Sequence, residues 1–218
     1  MKYKVLLLIA ILSNAYIQVR SQITYDRYLI KGVGYISIPE TMEIQSGEYK
    51  KIEEKYQNDL KQTFKFQITD NRIVFQQKGL NKLDKESFNT YARVILETYL
   101  GTPGEYEKLT TTVTATSSEL LELDKQLKSQ IIESFKNTGL KLVNWNRVQI
   151  VTINGGSVLK ISYTRQLRNN PLVNVSMYQF HNNDRMHMLT FSYRKEDAVD
   201  WSQKLNVVLK SFKITNIR

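Results

Sequence analysis

The sequence predicts an α+β fold: an antiparallel β-meander with helices on both faces, an α/β/α sandwich. Three observations carry this. Between residues 141 and 194 alternating stretches are separated by the turn dipeptides Gly155-Gly156, Asn169-Asn170 and Asn182-Asn183, the pattern of successive hairpins. Both side-chain rows of that meander are apolar, so neither face is left to water. Segments with helical apolar stripes stand before and after it and are the available covers.

The chain opens on an export address. Lys2 and Lys4 precede the apolar run Val5 to Leu12, and Ser13 begins a more polar stretch. The run is too short to span a hydrocarbon core, which needs about 20 apolar residues. Small residues at −3 and −1 fit cleavage after Ala15 or after Ser21, the second giving a signal of ordinary length. Residues 22–218 are then expected to form one domain, exported to the periplasm or outside the cell, with no membrane span. No internal repeat or Pro/Gly-rich linker divides them.

Val33 to Pro39 alternates and ends in a proline that donates nothing to a ladder, a strand stopping at an edge or corner. Tyr49, Ile52, Tyr56 and Leu60 have helical spacing. Phe64, Phe66 and Ile68 alternate with polar residues, Asp70-Asn71 turns, and Arg72 to Gln77 returns, which predicts a hairpin. Asp84 is placed to cap a helix with the stripe Phe88, Tyr91, Ala92, Ile95 and Tyr99, closed by Gly101. The hydroxyl-rich run Thr110 to Ser118 competes for backbone hydrogen bonds and reads as a connection. Thr116-Ser-Ser-Glu119 fits a capping box before Leu120, Leu123, Leu127, Ile131 and Phe135, with Gly139 as the stop.

Two-residue turns in the meander pair Val151 with Lys160, Ser162 with Met177, and Met177 with Met188. One face then collects Val148, Ile150, Leu159, Ile161, Tyr163, Tyr178, Phe180, Leu189 and Phe191. The other collects Val151, Ile153, Val158, Val175, Met177, Met186 and Met188. The last helix runs from Asp197, capped with Asp200, to Ser211, and Ala198, Trp201, Leu205, Val208, Leu209 and Phe212 form its stripe.

This order of elements, with Tyr35-Ile-Ser-Ile-Pro39 first, the meander built on Gly155 to Tyr163, the strand Met188 to Tyr193, and the acid-capped helix ending in Ser211-Phe212, resembles the PsbP-like superfamily. That group includes the photosystem extrinsic protein, the Ran-binding Mog protein and exported bacterial DcrB-like relatives. The resemblance implies the fold over roughly residues 33 to 215 and an accessory or binding role without catalysis. It carries over no functional residue.

Composition narrows the chemistry. The chain is 41% hydrophobic and 24% charged, with 31 basic and 21 acidic side chains and no cysteine. Thiolate zinc sites, cysteine nucleophiles, disulfides and lipidated cysteines are therefore excluded. Loss of residues 1–21 removes three basic groups and no acid, leaving 28 against 21 and a net charge of +7. That excess favours an unknown protein or an anionic envelope component as partner. The charges are spread, as in Lys50-Lys51, Arg165, Arg168, Lys204 and Lys213, so no nucleic-acid footprint is expected and solubility accounts for most of them.

His187 falls on an apolar face and His181 at a turn, so the two rings point to opposite faces and share no metal. No set of nucleophile, base and orienting acid stands out, and neither cofactor nor metal is expected. Asn174-Val-Ser176 matches a glycosylation acceptor but lies within a strand. The residues marked for partner binding are Tyr163, Arg165, Arg168, Tyr178, Arg185 and His187, although the arginines sit at two opposite ends of the meander. Three readings follow: an exported non-catalytic binding or accessory protein; a basic protein held electrostatically on anionic lipid or polysaccharide; and a hydrolytic enzyme.

Overall fold

A computed structural model describes residues 23–51, 72–107 and 115–218. The export segment, the strand expected at 64–69 with its turn, most of the helix expected from Tyr49 onward, and residues 110–114 of the hydroxyl-rich connection lie outside the described residues.

Ten strands are described. They are β1 (Tyr25–Ile30), β2 (Gly34–Pro39), β3 (Met42–Ile44), β4 (Ile73–Gln77), β5 (Ala92–Leu100), β6 (Leu140–Ile153), β7 (Gly156–Leu167), β8 (Val173–His181), β9 (Arg185–Arg194) and β10 (Lys213–Ile214). Helix α1 is Ser117–Phe135 and α2 is Ala198–Ser211. One sheet of seven strands has the order β3-β4-β5-β9-β8-β7-β6, and a second of three has the order β1-β2-β10. Every registered pairing is antiparallel.

The meander is covered on both faces, as its two apolar rows require. Helix α1 packs on one face with Phe135, Val148, Leu159, Ile161, Tyr163 and Val175. The opposite face is buried under α2 together with the small sheet, around Ile36, Ile38, Phe75, Val94, Leu96, Val158, Tyr178, Phe180, Leu189, Phe191, Leu205, Val208 and Phe212. Pro39 ends β2 as expected, but β2 is the middle strand of the small sheet and not an edge.

The helix expected between Asp84 and Gly101 is not there. Asp84 precedes a short 3-10 turn, Lys85–Asn89, without a side-chain cap bond, and residues 92–100 are the strand β5. The stripe Tyr91, Ala92, Ile95 and Tyr99 fits helical spacing, yet the same segment alternates. Ala92, Val94, Leu96 and Thr98 are buried, while Arg93, Ile95, Glu97 and Tyr99 face the other way. The β-branched Val94, Ile95 and Thr98 suit the pleat, and β4 and β9 satisfy both backbone edges. Strand β4 is the return strand expected from Arg72 to Gln77, and its hydrogen-bonded neighbours among the described residues are β3 and β5.

The turns correct the register. The first hairpin turns on Asn154-Gly155, both with positive φ (51° and 81°), so Val151 faces Val158 and not Lys160. The third connection is two residues longer than expected, pairing Met177 with Thr190 in place of Met188. Both slips are even and leave faces unchanged. The second is odd: residues 168–172 connect β7 to β8, with Arg168 at φ 50°, and Ser162 faces Ser176 and not Met177. A one-residue slip turns everything beyond it over. Tyr178, Phe180, Leu189 and Phe191 therefore share the α2 face with Val151 and Val158, whereas Val175 and Met177 join Leu159, Ile161 and Tyr163 under α1.

Helix α1 starts on the expected capping box. Thr116 Oγ1 accepts from Glu119 N at 3.3 Å, and Thr116 N donates to Glu119 Oε2 at 2.7 Å. Its dock to β6 is polar as well as apolar. The irregularity between Asn146 and Gln149 takes Val148 N out of the ladder, and Asp124 of α1 accepts from it at 2.8 Å and from Trp145 Nε1 at 2.9 Å. Asp197 stands at the α2 N-cap but makes no cap bond. Its carboxylate accepts instead from Thr90 Oγ1 (2.8 Å) and Tyr91 N (3.1 Å), and Thr90 Oγ1 accepts from Trp201 Nε1 at 2.7 Å. This fastens α2 to the start of β5.

Candidate functional site

The α1 face is covered unevenly. Helix α1 lies along β6, at the end of the sheet, and the strands β5, β9 and β8 extend beyond it. A cleft of about 750 Å³ opens there, between the sheet and the C-terminal end of α1.

The register decides what points into it. One row across the sheet runs Arg194 on β9, Val173 on β8 and Arg165 on β7. The next row inward runs Arg93, Ser192, Val175 and Tyr163. The third begins Ile95, Thr190. Ser134, Phe135, Thr138 and Leu140, at and just past the end of α1, form the facing wall, with Leu167, Asn170 and Pro171 at the mouth. The described lining includes four arginines, Arg72, Arg93, Arg165 and Arg194, and no carboxylate.

The four guanidiniums differ in what holds them. Arg72 is paired with Glu97 at 3.3 Å, both side chains mostly buried. Arg93 donates through Nη2 to Tyr49 Oη at 2.9 Å and lies over the Tyr91 ring, 5.4 Å from its centroid. Arg194 donates through Nη1 to Asn89 O (2.9 Å) and through Nη2 to Phe88 O (3.0 Å), so carbonyls and not an acid orient it. The half-buried Arg165 side chain has no hydrogen bond or ion pair among the described residues. Tyr91 and Ser192 share a 3.1 Å hydrogen bond on the floor, and burial raises the Tyr163 phenol above its usual range.

The residues marked from sequence separate. Tyr163 and Arg165 line the cleft. Arg168 sits on the connection at its mouth, exposed, with its stem against Gly139. Tyr178 is buried on the α2 face. Arg185 lies at the far end of β9 in a fork with the adjacent Asp184, at 2.8 and 3.0 Å. His187 is fully buried opposite Phe180, on the α2 side, with Nδ1 2.9 Å from Thr98 Oγ1 and Nε2 buried without a hydrogen-bond partner among the described residues. Burial, then the Arg185 charge, lowers its pKa to about 4, so the ring is neutral at physiological pH. His181 ends β8 on the other face and meets Tyr106 at 5.8 Å between ring centroids. Among the described residues no three His, Asp or Glu come together as a metal site.

Sequence reasoning missed Arg93 and Arg194. Arg93 falls in the segment whose spacing predicts a helix, where its neighbours on one face are different residues. Arg194 ends a row, Thr190, Ser192 and Arg194, that is polar although both meander faces read as apolar. The alternation Leu189, Phe191, Tyr193 against Thr190, Ser192, Arg194 was the available signal.

No protein-family model matches the chain, and no curated protein matches it in sequence. Its fold is similar to those of several solved structures. The cyanobacterial PsbP of Synechocystis sp. PCC 6803 has a TM-score of 0.49 at 10% identity, over 90% of this chain and 96% of that one. The Ran-binding protein Mog1p of Saccharomyces cerevisiae has a TM-score of 0.45 at 11% identity, over 89% and 97%. LpqN of Mycobacterium tuberculosis, which is involved in cell envelope biogenesis, has a TM-score of 0.41 at 10% identity, over 90% and 87%.

Proposed function

We propose that this chain is an exported, non-catalytic binding or accessory module, residues 22–218 acting as one unit, which holds an anionic group of its partner in the arginine-lined cleft. The observation that carries the reading is Arg165, a half-buried guanidinium in a cleft with no carboxylate among its described lining. A partly desolvated cation gains most from a counter-charge that also accepts its fork of hydrogen bonds, and a carboxylate or phosphate does both. Arg194, two strands away on the same row, adds a second positive charge that no acid neutralises among the described residues.

The cleft is suited to holding a group and poorly suited to moving protons. Guanidiniums do not deprotonate. Ser134 and Thr138 direct their hydroxyls to the carbonyls of Ile131 and Phe135. His187, a residue type fit for acid–base work, is sealed on the opposite face. Lys2, Lys4 and the run Val5 to Leu12 support export, and among the described residues no helix is long and apolar enough to cross a membrane.

Two measurements test this. N-terminal sequencing of the chain isolated from its native cells is expected to begin at Gln22 or Tyr16; a start at Met1 defeats export. Titration of the isotope-labelled chain with inorganic phosphate is expected to shift the amides of Val173, Val175, Ser192 and Arg165 together. Shifts scattered over the whole basic surface would replace the cleft with general electrostatic retention on anionic surfaces.

A further inference from the structure

The charges in the cleft are graded along the strands, and the gradient says more than that the cleft is basic. The outermost row carries Arg165 and Arg194 on either side of Val173. The middle row carries Arg93 only, beside Ser192 and Val175. The innermost row begins Ile95, Thr190 and bears no arginine. Arg72 lies deeper, but Glu97 neutralises it at 3.3 Å. Rows two residues apart are separated by about 6.6 Å, so the cleft passes from cationic to apolar over about 13 Å. Phe135 and Leu140 supply an apolar wall opposite this floor.

From this gradient we infer that the cleft binds a small anionic amphiphile, with a phosphate or carboxylate head held by Arg165 and Arg194 and an apolar tail of about eight carbons laid inward between Ile95, Val175 and Phe135. This deepens the reading of the cleft as an anion site and depends on it. A bare anion would use only the outer row and leave the apolar floor wet. A neutral lipid would leave two guanidiniums without a counter-charge. Only a ligand with both parts matches both ends, and the cleft of about 750 Å³ is of the size that holds one such molecule.

Calorimetric titration of the full chain with octyl phosphate, ethyl phosphate and octyl glucoside, each below its micelle concentration, tests the inference. Each buried methylene strengthens binding about fourfold. Octyl phosphate is therefore expected to bind at least on the order of a hundredfold more tightly than ethyl phosphate and far more tightly than the glucoside. Arg165→Gln is expected to lose on the order of tenfold or more for octyl phosphate. Lys210→Gln, exposed on α2 on the opposite side of the sheet, is expected to change it less than about twofold. An unchanged melting temperature for Arg165→Gln shows that the loss is not unfolding. Octanoate in place of octyl phosphate then separates a carboxylate head from a phosphate. Equal binding of ethyl and octyl phosphate would overturn the amphiphile while leaving the anion site intact. Equal binding of octyl glucoside and octyl phosphate, or no loss in Arg165→Gln, would overturn the ionic head. Failure of all the ligands to bind would overturn both the inference and the anion site.

Discussion

The two faces of the seven-stranded sheet are built from the same strands and end up in different states. On the α2 side the cover is tighter: Phe75, Val94, Leu189, Val208 and His187 have no exposure, a titratable ring among them, and the cleft beside Phe180 and Phe212 holds only about 250 Å³. On the α1 side, among the described residues, one helix covers β6 and its neighbours, and the part of the face bearing Arg93, Ser192 and Arg194 forms a cleft. The difference follows from the side chains on alternate positions of two strands. Strand β9 sends Leu189 and Phe191 to the sealed side and Thr190, Ser192 and Arg194 to the open one. A face that must be dry selects its covers, whereas a face that carries partly desolvated charge is where a partner gains most by binding.

The comparison can be broken most strongly on the sealed side. Phe212, 1% exposed, packs its ring 4.9 Å from that of Phe180. Phe212→Ala should cost about 3–5 kcal/mol of stability in denaturant unfolding, since it removes a whole buried ring from the core. A loss below about 1 kcal/mol would mean that this face is not sealed.

The His187 ring gives a smaller effect with a definite pH signature. Its pKa in the fold is lowered to about 4, whereas in the unfolded chain it is about 6.5. Between those values the unfolded chain takes up a proton that the native state refuses, so stability is fully present above about pH 6.5 and falls as pH drops toward 4. The contribution lost is about 3 kcal/mol. Urea unfolding from pH 7 to pH 4 should show that fall relative to His187→Gln, in which this component is absent. Parallel pH profiles for the two proteins would place the ring in contact with water.

The smallest of the three effects concerns the docking of α1 on the open side. Asp124 accepts from Val148 N and Trp145 Nε1. Asp124→Ala leaves both donors unpaired, one of them on the backbone, and should cost about 2 kcal/mol. Because α1 forms one wall of the cleft, amide shifts in the variant should reach Phe135 and Leu140 and stop short of His187. Shifts on the α2 face would show that the two sides are coupled.

Much of the fold is legible in the sequence. Helix α1 with its capping box, the α2 stripe from Trp201 to Phe212, the four meander strands and the covering of both faces all follow from local pattern. The failures have two physical sources. Residues 84 to 100 satisfy helical and strand spacing at once, and what decides between them is the presence of β4 and β9 on either side, which lies far away in sequence. The connection at 168–172 holds an odd number of residues, and no dipeptide signal reveals that Arg168 takes the left-handed conformation. Of the cleft, Tyr163 and Arg165 were marked in advance, while Arg93 and Arg194 were hidden by those same two errors.

By itself the sequence determined which residues alternate, where α1 begins, and that both faces of the meander need a cover, because periodicity and capping are properties of neighbours along the chain. Tertiary structure alone decided which strands lie side by side, which half of each apolar row belongs with which, and that three arginines from β5, β7 and β9 meet in one cleft. Those outcomes depend on loop parity and on pairing between segments about a hundred residues apart, energies to which no local stretch of sequence is sensitive.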